Sequence, residues 1–298
     1  MYHYVSPPSE QITTHFVPSD DFIQQLDYLH GKYGLMDEED IDIFLSGGVP
    51  KNQCLLTFDD GLKDHFAHVA PILNERRLSA IFFVSSSPFI NQEFLNVHAV
   101  QKLIHIVGPG ELMNYLKQTL SSKHLENFLQ FERSEIYGKY ANFAVESQIK
   151  HFLNFSLGYS EARHILSSAY SNFFAEELDA SASSWYMTAS QLNELEEAGF
   201  YIGNHGHRHQ NFSRLTFADA IVDLSESQNF LTKILSRSIG IMSNPYGAML
   251  EDDLQKSLLA TCNLEIGFST IPAEIQPPGK RKPYALPRFD CNLIYNSV

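Results

Sequence analysis

Two apolar runs on either side of one helical stretch constrain this fold more than any other feature. Cys54 to Phe58 and Ser79 to Ser85 each have the length and composition of a buried strand. The residues between them predict a helix that is interrupted or kinked near Pro71. A strand, a helix and a second strand within about 30 residues form a βαβ unit, whose strands pair in parallel. The sequence therefore predicts the α/β class.

The neighbouring segments continue the alternation of helices and strands. A helix is predicted over Ser19 to Tyr33, where an acidic start precedes apolar residues at helical spacing. Thr188 and Gln191 have the spacing of a capping box, and Gly199 suits the end of the helix that they would begin. Further strands are predicted over residues 2–5, 200–203 and 238–242.

The stretch from about residue 96 to residue 184 has a different pattern. Apolar residues recur at helical spacing, as in Leu112, Leu116 and Leu120 and again in Ile149 and Leu153. We therefore predict a single domain over residues 1–298 that contains a mostly helical insertion over about 96–184. The insertion could cover the substrate or form a packing subdomain.

Composition and charge exclude several classes of function. Asp and Glu number 35 against 21 Lys and Arg, which gives a formal net charge of -14. An acidic surface repels phosphate backbones and anionic lipids, so no nucleic-acid partner is expected. No apolar run approaches the ~18 residues that a membrane span needs. The first residues lack the features of a signal peptide, so we expect a cytoplasmic protein. The sequence does not indicate an oligomeric state.

Cysteine usage narrows the chemistry further. The three cysteines are Cys54, Cys262 and Cys291, and none of them has C-x-x-C spacing. This sparse set argues against a disulfide framework and against a thiolate metal site. A metal site in this chain would therefore use imidazole and carboxylate groups.

Two polar clusters follow predicted strands and carry the chemistry. Asp59 and Asp60 come directly after the first buried strand, and His205 and His209 follow the strand over 200–203. Alone, the aspartates could cap a helix, and the histidines could belong to a polar loop. Spaced i, i+4 on a helical turn, the histidines would share a face and could share a metal. Two imidazoles and one carboxylate would make a three-ligand site, and the other carboxylate could take a proton from water that the metal acidifies.

Four segments resemble the motifs of the polysaccharide deacetylases, carbohydrate esterase family 4. L-L-T-F-D-D-G (55–61) resembles the first motif, I-G-N-H-G-H-R-H (202–209) the H-[ST]-x-x-H motif, and N-P-Y-G (244–247) the R-x-P-Y-G motif. The M-Y-H start resembles circularly permuted members, whose first barrel strand begins in this way. The resemblance implies a distorted (β/α)7 barrel of the polysaccharide deacetylase type.

The resemblance also implies roles for single residues. Asp59 becomes the general base, and Tyr246, next to Pro245, lines the site and offers its backbone N–H to the oxyanion. The metal ligands become Asp60, His205 and His209.

Three departures from the family pattern stand out. Gly206 occupies the position of the Ser or Thr in the second motif, so its hydrogen bond is missing or supplied elsewhere. Ser243 stands where the third motif has the Arg that orients the base. Arg288 is the candidate replacement, although it could equally be a surface residue paired with Asp290.

The third departure concerns the general acid, because no L-x-H motif follows the third motif. We predict that His3 supplies the missing imidazole, since the first and last strands of a closed barrel are neighbours. The alternative is that His3 is an ordinary strand residue that faces solvent or core.

The predicted activity is metal-dependent hydrolysis that removes an acetyl group from an N-acetylated sugar or glycan precursor. One divalent ion is expected, zinc above all, although two histidines and one carboxylate also suit iron, cobalt or nickel. O-acetyl carbohydrate esterase activity is one alternative, since the same site could support it. A carbohydrate-binding relic without turnover is the other, and Ser243 in place of the motif's arginine favours it.

Overall fold

Short apolar runs form the strands of the computed structural model, which describes residues 1–13, 15–130 and 144–294. The strands are β1 (Val5–Ser6), β2 (Val17–Pro18), β3 (Thr57–Phe58), β4 (Ile81–Val84), β5 (Tyr201–Asn204), β6 (Ile241–Ser243) and β7 (Ile266–Phe268). Strands β3 to β7 form one sheet in chain order, and every pair in it is parallel. The α/β class predicted from the βαβ pattern is therefore confirmed.

Isolated bridges extend this sheet at both edges. Tyr2 pairs in parallel with Phe58 of β3, and Leu286 pairs in parallel with Phe268 of β7. The predicted strand over residues 2–5 is wrong in its bounds, because β1 begins at Val5 and pairs with β2 in a separate two-stranded sheet.

Backbone hydrogen bonds connect the two extended edges. The amino nitrogen of Met1 donates to the carbonyl oxygen of Phe289 at 2.8 Å, and the Met1 carbonyl accepts from the Cys291 N–H at 3.1 Å. The sheet is therefore curled, as predicted for a distorted barrel. The carboxyl ends of its parallel strands meet at one rim, where Asp59 and His205 follow β3 and β5.

Helices alternate with these strands and also fill the long segment between β4 and β5. The helices are α1 (Ser19–Tyr33), α2 (Glu38–Leu45), α3 (Ala70–Glu75), α4 (Ser87–Ile90), α5 (Asn96–Val107), α6 (Pro109–Thr119), α7 (Ser122–Gln130), α8 (Ala144–His151), α9 (Tyr159–Phe174), α10 (Ala182–Trp185), α11 (Ala189–Glu197), α12 (Phe217–Ile234) and α13 (Asp252–Thr261). The bounds of α1 agree with the helix predicted over residues 19–33.

Local sequence explains where α11 begins and ends. The Thr188 hydroxyl accepts from the Gln191 N–H at 3.2 Å, and the Gln191 side chain accepts from the Thr188 N–H at 2.9 Å. This reciprocal pair is the predicted capping box. Gly199 follows the helix with a φ of +88°, which an L side chain rarely adopts. The chain then enters β5 in the direction that brings His205 to the rim.

The helical stretch after Asp60 is irregular, as predicted. A π-helical segment over His65–Val69 precedes α3, and Pro71 lies in the first turn of α3. His65, the first residue of this segment, is fully buried. His65 therefore faces the core and not the helix surface.

Side chains of the sheet alternate between its two faces. Phe82 and Val84 of β4 belong to the apolar cluster that includes residues of α1, α3 and α11. Ile81 and Phe83 belong instead to a second cluster with residues of β6 and β7. Continuous apolar strands of this kind are expected where a parallel sheet is covered on both faces.

The chain divides into two compact units. The first comprises residues 1–10, 16–92 and 183–298 and holds the sheet. The second comprises residues 11–15 and 93–182 and is helical in the part that the structure describes. Its core includes Leu112, Leu116, Ile149 and Leu153, which the helical periodicity singled out. Across the described ranges, no helix combines the length and apolarity that crossing a membrane requires.

Candidate active site

Three side chains at the rim of the sheet converge on one point. The Nε2 atoms of His205 and His209 lie 3.3 and 3.2 Å from the same oxygen, Oδ1 of Asp60. One ligand atom from each residue falls within 4.8 Å of the others, and all three residues are buried. This grouping of Asp60, His205 and His209, called the triad below, is the one predicted from the D-D-G and H-x-x-x-H spacings. It could hold one metal ion.

The donor set and its support fit a divalent ion. Nδ1 of His205 lies 2.8 Å from the carbonyl oxygen of Ser243, and a carbonyl only accepts, so this nitrogen carries the proton. Nε2 of His205 then faces Asp60 and His209. A metal-binding histidine is usually held in this way by its other ring nitrogen. Two imidazoles and a carboxylate with open positions are the ligands of many catalytic zinc sites.

The segment between the two histidines is a loop and not the helical turn on which i, i+4 spacing would align them. Gly206 and His209 have φ values of +73° and +51°, which break any helix between them. The two imidazole rings nevertheless meet edge to face, with centroids 4.9 Å apart. The i, i+4 spacing thus brings the rings together through a loop that residues outside the motif hold in place.

Three of the seven non-glycine residues with positive φ in the described part of the chain lie at this site. Asp60, His209 and Tyr246 all have positive φ, at 84°, 51° and 59°. This region is uncommon for residues other than glycine, and such residues persist where the surrounding structure determines them. All three belong to the motifs that the sequence singled out, which agrees with a functional origin of the strain.

Asp59 is held by a guanidinium group. Arg288 donates from Nη1 to Oδ1 and from Nη2 to Oδ2 of Asp59, each at 2.8 Å. Both side chains are buried, with Asp59 at 2% and Arg288 at 5% exposure. Burial alone would raise the pKa of Asp59, but the charge of Arg288, followed by those of His205 and His3, holds it well below its usual range. Asp59 is therefore an ionised, fixed carboxylate beside the triad.

Ser243 completes this arrangement in place of the motif's arginine. Its hydroxyl accepts from Nη2 of Arg288 at 2.6 Å and donates to Oδ2 of Asp59 at 3.3 Å. Arg288 also donates to the Thr57 hydroxyl at 3.2 Å and to the Ser269 carbonyl at 3.0 Å. A small residue at position 243 leaves room for a guanidinium that arrives from the segment after β7.

The alternative pairing of Arg288 with Asp290 is wrong. Asp290 instead caps a short 3₁₀-helix over Cys291–Leu293, and its Oδ1 accepts from the Asn292 N–H at 2.9 Å. Arg288 points into the protein, over the rings of Phe83 and Phe268 at 5.5 and 5.9 Å.

His3 lies at the same rim as Asp59. The carbonyl of Tyr2 accepts from the Asp59 N–H at 3.0 Å, so the next residue, His3, is level with the end of β3. Nε2 of His65 lies 2.6 Å from the carbonyl oxygen of His3. Burial lowers the pKa of His65 to about 4, so its ring is neutral and donates this bond through Nε2–H. His65 thereby fixes the backbone at His3, a role that the sequence did not reveal.

Two tyrosine side chains, Tyr246 and Tyr4, lie near the triad. The Tyr246 ring lies 4.5 Å from that of His209 and perpendicular to it, and Pro245, which precedes it, is buried. Burial, followed by the charge of Asp60, raises the pKa of Tyr246 above its usual value. The same two causes raise the pKa of Tyr4, a residue that the sequence analysis did not single out. The Tyr4 ring meets that of Trp185 edge to face, with centroids 6.3 Å apart. Both phenols therefore keep their protons near neutral pH.

Comparison with known proteins decides the family. The sequence model of the polysaccharide deacetylases matches residues 46–119 and 155–263, which is more than half of the chain. The chain belongs to the polysaccharide deacetylase family. The matched ranges include the triad and Asp59, whereas His3 and Arg288 lie outside them. No curated protein sequence matches this deacetylase significantly.

Solved structures share the fold at low sequence identity. A deacetylase from Streptococcus pyogenes in complex with acetate is 16% identical, with a TM-score of 0.56 over 97% of this chain and 89% of its own. IcaB from Ammonifex degensii is 15% identical, with a TM-score of 0.59 over 99% and 92%. A de-N-acetylase from Aggregatibacter actinomycetemcomitans is 13% identical, with a TM-score of 0.56 over 100% and 97%. These likenesses confirm the predicted deacetylase fold.

Family and geometry together establish the class of enzyme. The protein is a polysaccharide deacetylase and hence a metal-dependent hydrolase, and its Asp-His-His triad is intact. The family acts on acetylated carbohydrate, which was the predicted class of substrate.

Proposed function

We propose that this deacetylase removes the acetyl group from an N-acetylated sugar, as part of a glycan or of a glycan precursor. The observation that carries the proposal is the buried contact between Asp59 and Arg288 beside the triad. A carboxylate that is ionised, oriented and adjacent to a candidate metal site is suited to remove a proton from attacking water. A carbohydrate-binding relic would not need a buried arginine in this position, so the contact disfavours that alternative.

In the proposed reaction, water adds to the acetamide carbonyl and its proton passes to Asp59. Arg288 keeps Asp59 ionised and oriented before this transfer. The Ser243 hydroxyl stabilises the pair, because it hydrogen-bonds to both side chains. A divalent ion bound by Asp60, His205 and His209 would supply Lewis acidity towards the carbonyl. The backbone N–H of Tyr246, next to Pro245, is proposed to donate to the oxyanion, since the left-handed backbone at Tyr246 changes the direction of the chain at this point.

The second half of the reaction breaks the carbon–nitrogen bond. The amine is a poor leaving group, so it needs a proton as the bond breaks, and we assign this step to His3. Acetate and the free amino sugar are then the two products. The pairing of Tyr2 with Phe58 supports this assignment, because it places His3 at the rim that carries Asp59. A circularly permuted relationship to other family members would explain why the histidine precedes the first motif.

Zinc is the proposed metal, because a neutral-pH hydrolase with two histidines and one carboxylate suits it. A cytoplasmic location, and with it a nucleotide-linked or lipid-linked precursor as substrate, stays a prediction. The acetate in the Streptococcus pyogenes structure is the acyl product that the proposed reaction releases. O-acetyl esterase activity remains the competing chemistry, because an ester presents the same carbonyl to the same groups.

An acetate-release screen tests the proposal. Zinc-loaded protein is incubated with N-acetylated and O-acetylated oligosaccharides of matched sugar composition, and acetate and new amino groups are both quantified. We expect equal amounts of acetate and amine from the N-acetylated set. Release of acetate without amine, from the O-acetylated sugars alone, would show that the enzyme is an esterase and not an amidase. Metal binding without any release would support the relic.

A further inference from the structure

A carboxylate outside all sequence motifs holds the loop between the two metal-binding histidines. Asp223 lies on α12, and its Oδ1 accepts from the His207 N–H at 2.8 Å. Its Oδ2 accepts from the Arg208 N–H at 3.2 Å and from the side chain of Gln210 at 3.0 Å. Both peptide N–H groups belong to the residues between His205 and His209. One side chain therefore fixes the backbone that sets the separation of two ligands.

The Asp223 carboxylate fills the space that a side chain at position 206 would need. A Cβ atom at position 206 would lie 2.6 Å from Oδ1 of Asp223, which is closer than real contacts allow. The φ of +73° at Gly206 also strains any L side chain there. The second motif of the family has Ser or Thr at this position, so the hydroxyl of that residue is absent and a carboxylate stands in its place.

Burial makes this carboxylate a strong anchor. Asp223 is 5% exposed, and its carboxylate accepts three hydrogen bonds from N–H donors of this loop and of Gln210. Hydrogen bonds to an ionised acceptor are about twice as strong as neutral ones. Asn204 supports the preceding turn in the same manner, because its Oδ1 accepts from the Gly206 N–H at 2.8 Å.

We propose that Asp223 is the positioning residue of the loop between His205 and His209, and that it replaces the hydroxyl that Gly206 lacks. It acts through the backbone, by holding His205 and His209 at the separation that a shared ion requires. The inference rests on the proposed metal-dependent function. Removal of such a supporting group typically weakens metal binding by about 10–100-fold.

Zinc affinity measures this role directly, without turnover. The dissociation constant of Zn²⁺ is determined by competition with a chromophoric chelator for the wild type, Asp223→Ala and Asp223→Asn. We expect about 10–100-fold weaker binding for Asp223→Ala and a smaller loss for Asp223→Asn, whose amide oxygen still accepts one N–H. Asp219→Asn is the matched control, since it removes one exposed carboxylate from the same helix and should leave the affinity unchanged.

A double-variant cycle separates positioning from loss of fold. Gly206→Ser alone should weaken Zn²⁺ binding, whereas Gly206→Ser with Asp223→Ala should bind no worse than Gly206→Ser, because the clash has gone. The absorption spectrum of bound Co²⁺ should change in Asp223→Asn while the melting temperature of the metal-free protein stays close to the wild type. Wild-type Zn²⁺ affinity in both Asp223 variants would overturn the role of Asp223 but leave the metal-dependent function in place. A wild type that binds neither ion would overturn the metal-dependent function as well.

Discussion

Replacing Arg288 by Gln should reverse the pH dependence of stability that Asp59 contributes. In the wild type, the guanidinium donates two bonds of 2.8 Å to a carboxylate that is 2% exposed. Arg288→Gln leaves that carboxylate buried without its cation. Breaking a buried ion pair in this way costs about 3–5 kcal/mol, because the remaining charge has lost both its partner and its water.

The sign follows from the two pKa values of Asp59. In the wild type the folded pKa is depressed, so its stabilising effect is present above the unfolded pKa of about 3.9 and is lost only as the pH falls towards the folded pKa. In Arg288→Gln, burial raises the folded pKa above the unfolded one. The folded state then holds the proton more tightly, and stability is lost as the pH rises above about 4. The cost of the substitution should therefore already be substantial at pH 4, where the wild type keeps its ion pair, and should grow further as the pH rises towards neutral.

Urea unfolding of the metal-free proteins at several pH values between 4 and 7 measures this cost. Asp59→Asn and the double variant Asp59→Asn with Arg288→Gln provide the control, because neither contains the carboxylate. Between those two proteins the free energy of unfolding should differ by an amount that does not depend on pH. A pH-independent cost of Arg288→Gln in the wild-type background would refute the reasoning.

Two further substitutions test the proposed catalytic groups. Asp59→Asn should keep bound zinc and lower acetate release by ~10²–10⁴-fold, because the base is lost while the metal ligands stay. Metal analysis alongside the rate assay measures both quantities. Loss of zinc would show that Asp59 is itself a ligand. His3→Ala should lower amide hydrolysis by ~10²–10⁴-fold but spare an activated acetate ester, whose leaving group needs no proton. His68→Ala, a change to a histidine that pairs with Glu10, is the control, and equal losses on amide and ester would remove His3 from the role of acid.

The fold could be predicted where local sequence and tertiary structure agree. The strands around Phe58 and Phe82 are continuous apolar runs, and the capping box at Thr188 fixes the helix that precedes β5. Strand bounds were less accurate at the amino terminus. Tyr2 makes a single bridge there, and whether residues beside it extend a sheet depends on partners distant in the chain.

The site was predictable to the extent that its residues lie in motifs. Asp60, His205 and His209 converge because parallel strands end at one rim, which sequence order alone implies. The contact of Arg288 with Asp59 was anticipated from the missing arginine at position 243, since the charge of a buried base requires a partner.

Residues that act from outside the motifs were missed. Asp223 and His65 contact backbone atoms of the loop and of His3, and no side-chain pattern marks such contacts in the sequence. The i, i+4 spacing of the two histidines fits both a helical turn and a loop, so it left the conformation between them open. The left-handed backbone at Gly206 excludes the helix, and it becomes visible only in three dimensions.

A metal titration of activity tests whether hydrolysis depends on one ion bound by Asp60, His205 and His209. Metal-free protein receives increasing Zn²⁺ in the presence of an N-acetylated oligosaccharide, and acetate release is followed together with bound metal. We expect activity to rise linearly and to saturate at one ion per chain, and we expect Asp60→Asn to show neither tight binding nor release. Full activity in the metal-free protein, or an Asp60→Asn variant as active as the wild type, would contradict this dependence.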